Sequence, residues 1–179
     1  MPFLVPDLAS GDFAHLTLSG QLEVVRRAVG EDRVRLMGSS MGGYLATLFA
    51  AAHPASVDRV VLMAPAFDFA SRWRARLGEA VFADWQRTGS LPVFHYGEGR
   101  SLDVDFGLYS DALIHPPFPA VRALGLVFHG TRDEVVPAGL SERFVAANPH
   151  TRLRLLPSDH ELLDVTEAIW EETWEFLQS

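Results

Sequence analysis

The chain has 179 residues and a formal charge of −8 at neutral pH, because 23 acidic residues outnumber 15 basic ones. Every basic residue is an arginine, and the sequence contains neither lysine nor cysteine. The lack of lysine excludes Schiff-base chemistry, and the lack of cysteine excludes a thiol nucleophile, a disulfide framework and a thiolate zinc site. The length suits one domain with a sizeable core, and the acidic balance argues against nucleic-acid binding or attachment to an anionic membrane.

The N-terminal segment predicts a short strand over residues 3–5, closed by Pro6. Residues 1–8 contain no basic leader of the kind that begins a signal peptide. No apolar run approaches the ~18 residues that a membrane-spanning helix needs. We therefore expect a soluble cytoplasmic protein.

The next part of the chain alternates between helical and strand patterns. The predicted elements are, in order, a helix whose apolar face carries Leu18, Leu22, Val25 and Ala28, a strand at 34–37, a helix at 41–52 and a strand at 60–63. The strands are continuously apolar, which is typical of strands buried on both faces of a parallel sheet.

Residues 67–118 break this rhythm, because they contain no clean strand–helix pair and are rich in aromatic residues. A long excursion within a compact domain is usually a functional lid or a disordered insert, and the aromatic content argues against disorder. We interpret the segment as a partly helical cap insertion within a single domain that spans residues 1–179.

The C-terminal part returns to the alternating pattern. The predicted elements are a strand at 126–128, a helix after Pro137 that contains Phe144 and Val145, a weaker strand at 153–156 and a closing helix over 162–176. Strands that alternate with helices predict a three-layer α/β/α sandwich with a mostly parallel sheet.

The clearest motif is Gly38-Ser39-Ser40-Met41-Gly42, which fits the G-x-S-x-G pattern between a predicted strand and a predicted helix. This pattern is typical of a nucleophile elbow, in which a sharp turn exposes the central serine at a helix N-terminus. We expect Gly38 and Gly42 to permit the close approach of strand and helix, and Ser40 to be the nucleophile. A glycine-rich turn without chemistry is the alternative.

A catalytic serine needs a base, and the base needs an orienting acid. Asp133 follows the strand at 126–128 and His160 follows the strand at 153–156, so both would lie at the edge of the sheet that carries Ser40. Glu134 is the competing acid, and His129 is expected to support the acid loop. His160 and Asp164 are spaced i, i+4 and raise a metal alternative, but no third ligand follows, so we predict no metal and no cofactor.

Together, Ser40 in GSSMGG, Asp133 in HGTRDEVVP and His160 in SDHELL resemble the α/β-hydrolase superfamily, and the segment GSSMGGYLAT resembles its small bacterial YqiA-like esterase branch. The resemblance implies Ser40 as nucleophile, His160 as general base and acid, and Asp133 as the residue that fixes the imidazole. It also implies that the backbone N–H of Met41 contributes to the oxyanion hole.

The chain departs from the superfamily pattern at its N-terminus. In the superfamily, a first central strand and an oxyanion loop precede the equivalent of residues 3–7, and this sequence contains neither. We expect the native protein to begin upstream of Met1; the alternative is that this chain pairs its remaining strands differently. An intact mass of native protein that equals 19.8 kDa would count against the longer protein.

The sequence supports more than one function. The leading hypothesis is a carboxylesterase that acts on a small or apolar acyl ester through an acyl-enzyme. The alternative is a non-catalytic or N-terminally incomplete protein of the same fold that binds a small apolar ligand; a structural module would leave the three motifs unexplained. Arg72, Arg74 and Arg76 could receive an acidic substrate or form a solvated helix face. The substrate and the oligomeric state are left open.

Overall fold

The computed structural model describes residues 3–9, 11–95 and 99–179. The chain forms two compact units, one from residues 1–30 and 68–117 and the other from residues 31–67 and 118–179. The elements in chain order are α1 (Leu18–Val29), β1 (Val34–Ser39), α2 (Met41–Ala52), β2 (Val57–Met63), α3 (Phe69–Thr88), β3 (Ser90–His95), β4 (Arg100–Asp105), α4 (Gly107–Ala112), β5 (Leu124–Gly130), α5 (Gly139–Ala147), β6 (Thr151–Leu156), a 3-10 turn (Leu163–Val165) and α6 (Thr166–Gln178).

The second unit contains a four-stranded sheet in the order β1-β2-β5-β6, in which every neighbouring pair is parallel. Helix α2 packs on β1 and β2, α5 on β6, and α6 on β5. The predicted mostly parallel α/β sheet flanked by helices is therefore confirmed. Because the strands are parallel, the segments that follow β1, β5 and β6 all leave the same edge of the sheet, where ligands bind in open α/β folds.

The core of this unit lies on the two central strands. Val61, Leu126 and Phe128 pack with residues of α6, including Ile169 and Phe176, into one buried cluster. The alternating residues of the same strands are also fully buried, which is why the strand sequences are continuously apolar. Burial of both faces explains how the strands could be predicted from hydropathy alone.

Helix α2 is buried over most of its surface, from Gly43 to Ala50. Its predicted span of residues 41–52 is confirmed. By contrast β1, at the edge of the sheet, is only partly buried along its length. Within the described ranges, β2 is the only strand paired with β1, so no strand of these ranges lies on the other side of β1.

The first unit contains α1, α3, the antiparallel pair β3–β4, and α4. Its centre is an aromatic cluster of Phe82, Trp85, Phe106 and Tyr109, whose rings meet mostly edge to face. The indole Nε1 of Trp85 donates to a backbone carbonyl of β4 at 3.0 Å. The dense aromatic residues of the predicted cap thus form the core of this unit, while the role of a cap stays a prediction.

Two sequence predictions need correction here. Residues 3–5 form no strand: Phe3, Leu4 and Val5 are 60%, 71% and 90% exposed and have irregular backbone. Three apolar residues carry too little information to distinguish a strand from an exposed segment, since nothing in such a run specifies a partner strand. The predicted segment without a strand–helix pair contains the β3–β4 hairpin, which Pro92 in β3 concealed. Among the described residues, no helix has the length and apolarity needed to cross a membrane.

Candidate active site

Ser40 lies at the tight turn between β1 and α2, in a backbone conformation that non-glycine residues rarely adopt (φ 49°, ψ −115°). Its N–H donates to the carbonyl of Met63 at 2.8 Å, and its carbonyl accepts from the N–H of Ala66 at 2.9 Å. Its side chain does not cap α2, although serine is a favoured capping residue. The turn therefore fixes the backbone of Ser40 on both sides and leaves the hydroxyl free to face another loop.

The turn between β1 and α2 leaves no room for a side chain at Gly38. A Cβ at this position would lie 2.3 Å from the carbonyl oxygen of Gly42 and 2.6 Å from the nitrogen of Gly43. At Gly43 a Cβ would lie 3.0 Å from the Cβ of Pro65, whereas at Gly42 it would meet no heavy atom of the described residues within 4 Å. Of the two motif glycines, Gly38 is thus the one at which the close approach of strand and helix requires glycine. Gly43, outside the motif, has closer neighbours than Gly42.

Ser40, His160 and Asp133 form a continuous hydrogen-bonded chain. The Nε2 of His160 lies 3.1 Å from the Oγ of Ser40, and its Nδ1 lies 2.7 Å from the Oδ2 of Asp133. The Asp133 side chain is fully buried, and the His160 side chain is 19% exposed. The structure therefore brings together the three residues singled out from the sequence, with the histidine between the hydroxyl and the carboxylate.

The side chain of Asp133 is oriented by hydrogen bonds from the backbone of the loop that carries it. The Oδ1 of Asp133 accepts from the backbone N–H groups of Val135 and Val136 at 2.8 and 2.7 Å. Glu134, the competing acid, is exposed. The turn that follows Asp133 thus orients its carboxylate inward, while the neighbouring glutamate points to solvent.

The acid loop and the histidine loop are packed on each other by backbone contacts. A Cβ at Gly130 would lie 2.2 Å from the carbonyl oxygen of Asp159, so only glycine allows the loops to approach this closely. The N–H of Arg132 donates to the carbonyl of Ser158 at 2.9 Å. The Oδ1 of Asp159 accepts from the N–H of Glu161 at 3.0 Å and closes the turn that carries His160. These contacts fix the His160 backbone relative to Asp133.

Met41, the predicted oxyanion donor, is the first residue of α2 and follows Ser40 directly. The first N–H groups of a helix have no intrahelical acceptor, and the helix dipole favours negative charge near them. The Met41 N–H thus lies at the N-terminus of α2 next to Ser40, and its role as an oxyanion donor stays a prediction.

A second histidine contacts Asp133. His129, at the end of β5, is fully buried, and its Nε2 lies 3.1 Å from the Oδ2 of Asp133 and 2.8 Å from the carbonyl oxygen of Val136. Its Nδ1 lies 2.7 Å from the Oγ of Ser141. The sequence suggested only that His129 supports the acid loop, and nothing in the sequence pointed to Ser141, since no spacing rule links a residue of β5 to one 12 positions later in α5.

Burial of His129 should make the stability of the protein depend on pH. Desolvation lowers the pKa of His129 below its ordinary value of 6.5. The unfolded chain therefore takes up a proton at this site, below pH 6.5, that the folded chain does not. The free energy of unfolding is expected to fall as pH is lowered from about 6.5, by up to about 1.4 kcal/mol per pH unit.

Chemical denaturation between pH 7.5 and 5 measures this dependence, with His129→Gln as the variant that removes the titrating ring. The pH range of this effect differs from the range in which Glu23 contributes. Hydrogen bonds from Arg26 and then Arg27 lower the pKa of Glu23 from its ordinary 4.5 to about 2, so its contribution is lost only below about pH 4.5. An equally steep decline in His129→Gln would show that another group is responsible.

A second serine–histidine–aspartate cluster lies in the first unit. Ser19 donates its hydroxyl to the Oδ1 of Asp111 at 2.6 Å, and the Nε2 of His115 lies 3.0 Å from the same hydroxyl and 3.5 Å from Asp111 Oδ2. Because one ring nitrogen faces both partners, the histidine does not lie between serine and acid. The arrangement joins α1 to α4 and lacks the relay order of a catalytic triad.

The remaining candidates from the sequence have other partners. Asp164, the second residue of the metal alternative, accepts from the hydroxyl of Ser158 and pairs with Arg132 at 3.6 Å. Within the described part of the chain, no group of three or more histidine, aspartate or glutamate residues could hold a metal ion. Arg74 pairs with Glu79 at 3.1 Å on the exposed surface of α3.

The sequence matches the uncharacterised protein family UPF0227 over residues 3–177. The chain belongs to this family. Its resemblance to the YqiA-like branch of the α/β-hydrolase superfamily is confirmed by this match together with the structural relatives of the UPF0227 chain. The comparison with curated proteins gives no match.

Several solved structures share the fold of this UPF0227 chain at low sequence identity. A protein from Agrobacterium vitis S4 named as a hydrolase is 24% identical with a TM-score of 0.70, covering 82% of this chain and 62% of its own. Mouse alpha/beta hydrolase domain-containing protein 10 is 20% identical with a TM-score of 0.73, covering 91% and 70%. A monoacylglycerol lipase from Paleococcus ferrophilus is 16% identical with a TM-score of 0.68, covering 94% and 76%. These likenesses show the α/β-hydrolase fold, and the chain spans less than two thirds of the Agrobacterium protein.

Proposed function

We propose that this protein is a serine hydrolase, a carboxylesterase that acts on a small or apolar acyl ester. The observation that carries the proposal is the hydrogen-bonded chain from the Ser40 hydroxyl through His160 to the buried Asp133 carboxylate. A hydroxyl within reach of an imidazole that is itself oriented by an acid is the arrangement that activates a serine for acyl transfer.

The first half of the proposed reaction forms an acyl-enzyme. The Oγ of Ser40 attacks the ester carbonyl carbon while the Nε2 of His160 takes the hydroxyl proton, and the carbonyl oxygen becomes an oxyanion beside the N–H of Met41. The tetrahedral intermediate collapses, His160 returns the proton to the leaving alkoxide, and the alcohol departs. Asp133 holds the Nδ1–H and stabilises the transient imidazolium.

The second half of the reaction releases the acid. A water molecule gives a proton to the Nε2 of His160 and attacks the acyl carbon, and collapse of the second tetrahedral intermediate returns the proton to the Oγ of Ser40. The carboxylic acid leaves, and no external oxidant, reductant or metal ion is needed. The helix N-terminus at Met41 favours both oxyanions in the same way.

The structural relatives support the same reaction class. One is named a hydrolase and another a monoacylglycerol lipase, and both share the fold that carries Ser40, Asp133 and His160 here. A lipase substrate is an ester of an apolar acyl chain, which agrees with the proposed substrate class. Aromatic residues in the predicted cap are one reason to expect an apolar acyl group in the substrate. In the structure, however, several of these rings pack on each other in the core of the first unit.

A panel of p-nitrophenyl esters of increasing acyl length tests the proposal. We expect at least one ester to release p-nitrophenol well above the rate in buffer, and we expect saturation with a fluorophosphonate to stop the release. Release that continues after saturation, or no release from any ester, would contradict the proposal. Binding of an apolar ester without release would instead favour the non-catalytic alternative.

Replacing Asp133 with asparagine is expected to lower kcat by about 10⁴-fold while leaving the fold intact, because the amide supports the wrong tautomer of the neighbouring histidine. The measurement is ester hydrolysis by purified Asp133→Asn, with its thermal unfolding recorded beside the wild type. Glu134→Gln is the matched control, since Glu134 is adjacent and exposed. Equal losses in the two variants would argue against Asp133 as the orienting acid.

A further inference from the structure

Four nitrogen atoms lie within 3.1 Å of the carboxylate oxygens of Asp133. Its Oδ1 accepts from the N–H groups of Val135 and Val136, and its Oδ2 lies 2.7 Å from His160 Nδ1 and 3.1 Å from His129 Nε2. A carboxylate has about four lone-pair sites. The proposed triad uses only one of these contacts, and two belong to the loop backbone. The contact with His129 is the remaining one and has no role in the mechanism above.

The partners of His129 determine which ring nitrogen carries its proton. The carbonyl oxygen of Val136 and the carboxylate of Asp133 can only accept hydrogen bonds, so the Nε2 that faces both must carry the hydrogen. The Nδ1 of the neutral ring is then an acceptor for the hydroxyl of Ser141. Both His129 and Ser141 are fully buried, so water does not replace these partners.

We infer that His129 is a positioning residue for the reaction: held by Ser141 with its proton on Nε2, it donates to Asp133 Oδ2 and fixes the carboxylate against His160. The inference rests on the proposed function and adds two residues to it. His129 does not touch substrate and exchanges no proton with Ser40. It acts only through the orientation of Asp133.

The geometry explains why this second contact matters. Rotation of the Asp133 carboxylate about its last side-chain torsion moves both oxygens, so the two N–H groups on Oδ1 and the two rings beside Oδ2 restrict it together. Without His129 the carboxylate loses one of these contacts, and rotations that misalign Oδ2 with the Nδ1 of His160 are less restricted. A misplacement of about 1 Å in a catalytic group can reduce a rate by about 10²-fold.

Three variants test the inference by ester hydrolysis. His129→Leu removes the donor and is expected to lower kcat by about 10²-fold with little change in KM, because the substrate contacts are untouched. His129→Gln keeps an N–H donor of similar reach and is expected to recover at least about 10-fold of this loss. Ser141→Ala removes the hydroxyl that meets Nδ1 but leaves the acceptors that face Nε2, and it is expected to lose less activity than His129→Leu.

A double-mutant cycle separates positioning from general destabilisation. If His129 acts through Asp133, the loss caused by His129→Leu should shrink to less than about 3-fold when Asp133 is already asparagine. Thermal unfolding of each variant checks that the protein is folded at the assay temperature. Wild-type kcat in His129→Leu, or a loss that multiplies in full with that of Asp133→Asn, would overturn the inference.

A measurement without turnover distinguishes failure of this inference from failure of the proposed function. Nitrogen-15 NMR of labelled histidine, with His129→Gln to assign the signal, is expected to show His129 as a neutral ring protonated on Nε2. Protonation on Nδ1 would overturn the inference even in an active esterase. A wild-type chain without Ser40-dependent turnover would contradict the proposed function and any catalytic consequence for His129, whereas the ring signal would still decide whether His129 donates to Asp133.

Discussion

Replacing Ser40 with alanine is expected to reduce ester hydrolysis by about 10⁶-fold, to a rate close to that of buffer, because the variant lacks the only atom proposed to attack the ester. The Ser40 Oγ lies 3.1 Å from the Nε2 of His160, which can take its proton. The measurement is initial-rate hydrolysis of the best p-nitrophenyl ester by purified wild-type and variant protein. Labelling with a fluorophosphonate should be lost in parallel.

Ser39→Ala is the matched control for this prediction. Ser39 is the last residue of β1, directly before Ser40; it is exposed and lies outside the hydrogen-bonded chain. We expect Ser39→Ala to keep activity within about 3-fold of the wild type, as is usual for an exposed position that lacks a specific role. A Ser40→Ala variant that still hydrolyses esters, or a Ser39→Ala variant that does not, would remove Ser40 from the proposed role.

Replacing Gly38 with alanine is expected to damage both the fold and the activity. The added Cβ would lie 2.3 Å from the carbonyl oxygen of Gly42, and because backbone atoms of α2 form the contact, no flexible side chain can move away. Overpacking of this kind costs about 3 kcal/mol, which lowers the Tm of a protein of this size by roughly 6–12 °C. Thermal unfolding and ester hydrolysis of Gly38→Ala measure the two effects.

Gly42→Ala provides the matched comparison within the same motif. Beyond its chain neighbours and the backbone of its own helix, no heavy atom of the described residues lies within 4 Å of a Cβ built at Gly42, which belongs to the first turn of α2. We expect its Tm to stay equal to or slightly above that of the wild type, because alanine is favoured over glycine in helices by about 1 kcal/mol. Equal destabilisation by Gly38→Ala and Gly42→Ala would contradict the steric account of the elbow.

The sequence predicted those parts of the fold and site that a local pattern encodes. Continuous apolar runs located β2 and β5 most clearly, because both faces of these strands are buried, whereas β6 was predicted only as a weaker strand. Chain order placed Asp133 and His160 after later strands, and parallel pairing brings the ends of those strands to one edge. The Ser40 turn followed from glycine spacing, since only a residue without a side chain fits at Gly38.

The parts that the sequence did not predict depend on contacts that no simple sequence pattern encodes. The hydroxyl of Ser141 meets the ring of His129 because α5 packs beside the acid loop, and no spacing rule encodes that contact. Gly130, at the end of β5, permits the histidine loop to lie against the acid loop, and the sequence around it does not predict this contact. The β3–β4 hairpin was missed because β3 contains Pro92 and β4 is mostly polar.

The most direct test of the central claim is to locate a fluorophosphonate adduct on the wild-type chain by mass spectrometry. We predict one adduct per chain, with fragmentation that assigns it to Ser40 and not to the adjacent Ser39. Slower labelling is expected in His160→Ala, because the imidazole that activates Ser40 is then missing. A chain that remains unlabelled, or an adduct on another serine such as Ser19 beside Asp111, would contradict the assignment of Ser40 as the nucleophile.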